Sequence, residues 1–210
     1  MPWRTPMLLL AAGGGCAVIV LGCASAPSDA DISAKVATIM KASFKARGQA
    51  KLERLDQDET QRACSAYANK APPKDEAQMI EKLNLATIKW PSDATFLGDW
   101  KNGEKIAQEG RGMQYSDDPQ GPVGANCYAC HQIAAQEVAY GTIGPSLYQF
   151  GKLHGYGVDV QKYAYGKVFN PEAYAACTNM PRFGHNGILT EEQIKDVVAL
   201  LMDPDSPVNK

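Results

Sequence analysis

Neither sign of charge dominates this chain. Its 21 Lys and Arg face 23 Asp and Glu, a formal charge of −2, so it lacks the basic footprint that nucleic-acid binding requires. After residue 22 it has no long apolar run, and a membrane-spanning helix takes about 20 apolar residues. Strand-period alternation, internal repeats and low-complexity tracts are missing as well, which leaves helices as the regular structure to expect. Disorder is excluded by composition, because 45% of residues are hydrophobic and 21% charged.

What is present begins with an export segment. Arg4 gives a basic start, residues 7–22 form a short apolar stretch, and Ala24-Ser25-Ala26 fits the small-x-small cleavage pattern. Residues 1–26 therefore read as a signal peptide cleaved after Ala26, with a periplasmic destination. At the same place Val20-Leu21-Gly22-Cys23 resembles a bacterial lipobox, in which Cys23 would be lipidated and become the first residue. Without lipid at Cys23, no membrane contact is expected.

Composition divides the remainder near residue 95. Over 27–95 the chain is charged and helical in character, with Ile32, Val36, Ile39, Met40 and Phe44 at helical spacing and a second stretch opened by Pro73. From 96 to 210 it turns rich in Gly, Tyr and Pro. That part is framed by helices predicted over 98–109 and 191–202; the second starts at a Thr190-x-x-Gln193 capping box. The expected class is all-α, an N-terminal helical extension followed by one compact domain.

Cysteine placement carries the chemistry. Cys16 and Cys23 fall in the export segment, leaving Cys64, Cys127, Cys130 and Cys177. In Cys127-Tyr128-Ala129-Cys130-His131 two thiols stand at the spacing that adds to the two vinyl groups of haem, and the adjacent histidine is placed to bind iron. A structural zinc site would need a second Cys pair, and a thioredoxin-like dithiol would need a βαβ context. Neither is present. Cys64 and Cys177 then have no partner but each other, and an oxidising compartment favours their pairing.

A second axial ligand is expected on the C-terminal side. Met180 is followed by Pro181, lies 49 residues after His131 and directly precedes the last predicted helix, where a loop can fold over the opposite haem face. His154 and His185 are the rivals. For the free ring nitrogen of His131 the expected acceptor is the Pro145 carbonyl, and Arg182 is a candidate contact for a haem propionate. The chain offers no Ser-His-Asp set and no paired-carboxylate motif, so catalysis by these residues alone is not expected.

Several blocks together resemble a known family. Cys127 to His131, Gly141-Thr142-Ile143-Gly144-Pro145-Ser146-Leu147, Asn179-Met180-Pro181-Arg182-Phe183-Gly184, Gly187-Ile188-Leu189-Thr190 and the tail Asp203-Pro204-Asp205-Ser206-Pro207-Val208-Asn209 resemble SoxX. This is the monohaem cytochrome subunit of the SoxAX complex of bacterial sulfur oxidation. The resemblance implies a class I cytochrome c fold, one covalent haem c, His131 and Met180 as axial ligands, and a periplasmic heterodimer with SoxA. It implies that the complex couples thiosulfate oxidatively to a cysteine of the SoxYZ carrier. In that scheme this chain is the non-catalytic electron-transfer subunit of an L-cysteine S-thiosulfotransferase, handing electrons to a soluble cytochrome c. A free-standing diffusible cytochrome is the alternative.

Overall fold

A computed structural model describes residues 26–67 and 70–210. The signal-segment features, including Arg4, Cys16 and Cys23, lie outside the described residues. The chain separates into two compact units, Met1–Ala42 and Ser43–Lys210. Of the first, the described part is essentially helix α1, Asp29–Ser43. Its start is held by a reciprocal pair: the Ser28 hydroxyl accepts the Asp31 N–H at 3.2 Å and the Asp31 carboxylate accepts the Ser28 N–H at 3.2 Å. No residue of α1 is buried.

The second unit is all-α among its described residues, with helices α2 (Glu59–Ala66), α3 (Lys74–Leu85), α4 (Trp100–Gln108), α5 (Phe150–His154), α6 (Val158–Phe169) and α7 (Glu191–Met202). This is the arrangement of a class I cytochrome c. Its organising contact is α4 against α7. The two backbones come so close that a Cβ at Gly103 would run into the Asp196 carbonyl, so only glycine lets the helices meet. The entry to α4 is fixed to α7 by Gly98 N–H donating to the Lys195 carbonyl at 3.0 Å and Asp99 N–H to the Asp196 carboxylate at 2.7 Å.

Helix α7 buries Ile194, Val197, Val198, Leu200, Leu201 and Met202, and it begins at the Thr190–Gln193 capping box expected from the sequence. Helix α6 packs on α7 through a face of Ala164, Tyr165, Val168 and Phe169. Tyr165 also clusters with Trp90 and Phe96 at centroid distances of 6.0 and 5.6 Å, geometry that favours ring quadrupoles.

Residues 43–95, expected as part of an N-terminal helical extension, fall in one compact unit with residues 96–210. Residues 43–95 belong to the compact unit because buried polar and covalent ties hold them there. The Asn84 amide donates to Thr60 Oγ1 at 2.9 Å, and the Asn170 amide donates to Asn84 Oδ1 and Thr87 Oγ1, each at 2.9 Å. Cys64 on α2 is joined by a disulfide to Cys177. Local composition shows none of these partners.

Asp58 does two jobs in this lock. Its carboxylate caps α2 by accepting Gln61 N–H at 2.8 Å, and it pairs with the buried Arg182 guanidinium at 2.6 Å. Burial works against the Asp58 charge, but the Gln61 N–H and Arg182 outweigh it and hold the carboxyl below its ordinary value. Glu172 goes the other way: burial raises it despite the Cys177 N–H it accepts at 2.6 Å. Asp58→Ala is expected to cost about 2 to 4 kcal/mol, combining a lost helix cap with an uncompensated buried guanidinium. Because the folded-state value is depressed, the stability from Asp58 is present above the ordinary carboxylate range of about 4 and is lost as pH falls through the folded value. Asp58→Asn keeps capping ability but no charge. Denaturant titrations should therefore show a smaller loss than for Ala and a weaker acid dependence than wild type; equal acid dependence would exclude the ion pair as its source.

Candidate haem-attachment site

The site starts from a tight turn. Asn126 adopts a left-handed backbone, φ 45°, and leads into a single 3-10 turn, Cys127–Ala129. There the Cys130 and His131 N–H groups both donate to the Cys127 carbonyl, at 3.1 and 2.9 Å. The turn brings the two thiols and the imidazole into one short segment. Cys127 and Cys130 are not bridged to each other or to another cysteine. Burial pushes the Cys127 thiol up to about 12, whereas the attacking thiol of a redox dithiol needs a lowered value.

Residues 141–147 run beneath this turn as a strap. Gly141 N–H donates to the Tyr128 carbonyl at 2.8 Å, Gly144 N–H to the Cys130 carbonyl at 2.8 Å, and Leu147 N–H to the Gln132 carbonyl at 2.7 Å. The Ser146 hydroxyl adds a bond to Gln132 Oε1 at 2.9 Å. Between these ties, His131 Nδ1 lies 2.7 Å from the Pro145 carbonyl oxygen. A carbonyl only accepts, so Nδ1 carries the proton and Nε2 is left with the lone pair a metal requires. Gly144 packs directly against the imidazole: a Cβ there would overlap three ring atoms of His131. Sequence reading identified Pro145 but not Gly144, whose role depends on a ring 13 residues earlier in the chain.

Met180 lies in the loop between α6 and α7, partly buried. It packs against the same apolar cluster as Cys127 and Leu147. The loop is tied to α2 on both sides of Met180, by the Cys64–Cys177 disulfide and by the Arg182–Asp58 pair. Arg182 is buried and engaged with Asp58, so its guanidinium is not a free surface charge; this is where the structure takes the residue expected near a propionate. His154 Nδ1 sits 3.0 Å from the Phe150 carbonyl with its ring stacked on Phe150 at 4.5 Å. His185 Nδ1 lies 3.2 Å from Thr87 Oγ1. His154 thus stacks on Phe150, a member of the cluster that Met180 joins, and Met202, the other late methionine, is fully buried within α7.

A cavity of about 770 Å³ borders this loop, lined among others by Gln61, Lys70, Cys177, Met180 and Arg182. Cys127, Cys130 and His131 do not line it, and its walls include α2 and the Met180 loop. The donor set nevertheless suits haem c: two unbridged thiols at vinyl spacing, an imidazole with its tautomer fixed, and a thioether at the same apolar cluster.

The profile of the cytochrome c family matches residues 120–203. A relative from Aquifex aeolicus (strain VF5), carrying the name "Uncharacterized lipoprotein", is 42% identical over 158 residues, 73% of each chain.

Proposed function

The chain belongs to the family of the Aquifex aeolicus protein and carries a cytochrome c domain over residues 120–203, which implies covalent haem c and electron transfer; from that premise we propose that it is a monohaem electron carrier attached through Cys127 and Cys130, with His131 and Met180 as axial ligands. The observation that carries this reading is the 2.7 Å contact from His131 Nδ1 to the Pro145 carbonyl beside two unbridged thiols. Bound iron supplies a reversible one-electron change. The protein's part is to set it. Donation of Nδ1–H to Pro145 fixes the ring and raises the basicity of Nε2, while a thioether favours the reduced metal and raises the potential. If His131 and Met180 both held the iron, no donor position would remain for a substrate.

The finer reading is a SoxX-like subunit of SoxAX, supported by the sequence blocks around Cys127, Gly144, Met180 and Ser206. In that role the chain accepts, one at a time, the two electrons released when thiosulfate couples to the SoxYZ cysteine. SoxA is its heterodimer partner and a soluble cytochrome c the acceptor. Co-purification with a second haem protein tests it; a chain isolated alone that still serves an oxidase supports the free-standing carrier instead.

The lipobox-like Val20-Leu21-Gly22-Cys23 and the relative's name favour a lipid on Cys23 over cleavage after Ala26, giving a cytochrome tethered at the periplasmic face of a membrane. Among the described residues no helix is long and apolar enough to cross one. Intact mass of the exported protein reads lipid and haem together. In the Cys127→Ala/Cys130→Ala double variant, haem resistant to acid-acetone extraction should fall to none; undiminished covalent haem would refute the attachment assignment.

A further inference from the structure

Three large apolar side chains stand in solvent beside the thiol turn. Val138 is 95% exposed, Ile143 74% and Tyr140 41%. Ile143 is carried on the strap, and Tyr140 stands at its entrance. Tyr140 directly precedes Gly141, whose N–H bonds to the Tyr128 carbonyl, and Ile143 directly precedes Gly144, whose N–H bonds to the Cys130 carbonyl. Their positions are therefore fixed to the backbone of the attachment turn itself. Residues 126–150 contain a single Asp, Glu, Lys or Arg, Glu137, where the chain-wide share of 21% would place about five. Glu104, on α4, is the other carboxylate close enough to act on Tyr128. Exposed apolar groups concentrated in so uncharged a stretch mark an interaction surface.

We propose that Val138, Tyr140 and Ile143 form the surface through which electrons leave or enter, and that it fits a redox partner with an uncharged, apolar face around its own redox centre. The proposal rests on reading residues 127–131 as the haem attachment. A partner that docks through a ring of lysines or carboxylates would have to desolvate those charges against a face that offers almost none in return. An apolar partner has no such cost, and small, weak contacts are typical of electron-transfer encounters. The signature is association that responds little to salt, since there are few charges to screen.

A second copy of this chain presents such a face by construction, so electron self-exchange in the holoprotein is the probe. Mixed ferric and ferrous protein, followed by line broadening of the haem proton resonances, should give a rate that changes less than about threefold between about 0.02 and 0.5 M salt. Val138→Lys/Ile143→Lys puts like charges on both faces. It should slow exchange by about tenfold or more at low salt, recovering as salt screens the repulsion. Met79→Lys, at an exposed site on α3, should leave the rate alone. The absorption spectrum of all three proteins should agree, showing that the haem ligands are intact. Wild-type exchange that varies with salt by more than about threefold overturns the proposal. So does a double-lysine variant as fast as wild type, or a Met79→Lys variant slowed as much. Protein without acid-stable haem would overturn the attachment reading and this inference together, which separates that failure from the others.

Discussion

Met180→Ala is expected to lower the reduction potential by on the order of 100 mV or more, within the roughly 0.8 V over which axial ligands tune haem. The thioether is a soft donor that stabilises ferrous iron, and its loss leaves water or a nearby imidazole to fill the position. The weak red charge-transfer band that ferric iron shows with thioether ligation should vanish. His185 is the residue best placed in sequence to substitute, five positions on, but its ring is engaged at Thr87 Oγ1. A Met180→Ala/His185→Ala double variant should therefore match the single variant in spectrum. An unchanged potential in Met180→Ala would assign the ligand elsewhere.

Opening the Cys64–Cys177 disulfide should give the largest loss of stability. The two residues are 113 apart, and closing so long a loop removes chain entropy from the unfolded state worth about 5 kcal/mol, an upper figure because measured gains are often smaller. For a domain of this size a loss of about 3 kcal/mol lowers Tm by roughly 6 to 12 °C. Cys64→Ser/Cys177→Ser should show that shift by thermal melting, and alkylation of denatured, unreduced wild type should label neither thiol. The bridge also anchors the backbone three residues before Met180, where Cys177 has a left-handed φ of 60°. The red band of the double variant should accordingly fade at a lower temperature than its helical signal. If the two are lost together, as in wild type, the bridge stabilises the fold without holding the ligand loop.

Much of the site was legible because its information is local. The thiol spacing and the adjacent imidazole lie within five residues, so Cys127, Cys130 and His131 needed no tertiary knowledge. Helix α7 was equally plain, with a capping box and an apolar stripe in one short stretch. Helix α6 was not. Its Val, Tyr, Gly and Phe residues are indifferent or poor helix formers, and it forms because Tyr165, Val168 and Phe169 find the core, which no local pattern announces. Arg182 shows the same limit, since its partner Asp58 lies 124 residues away.

The chain by itself determined the all-α class, and it offered Cys127 to His131 as the attachment candidate, Met180 as the late ligand candidate and one pairing for the two remaining cysteines, because each follows from residue type, spacing or elimination within a short list. Only the tertiary structure decided that residues 43–95 join the compact unit that holds the cytochrome c domain, that a backbone strap clamps the thiol turn, and that the Met180 loop is held to α2 by a disulfide and a buried ion pair. Those features are contacts between segments far apart in sequence. Their energies come from burial and from hydrogen bonds satisfied across the fold, and such terms exist only once the chain has closed on itself.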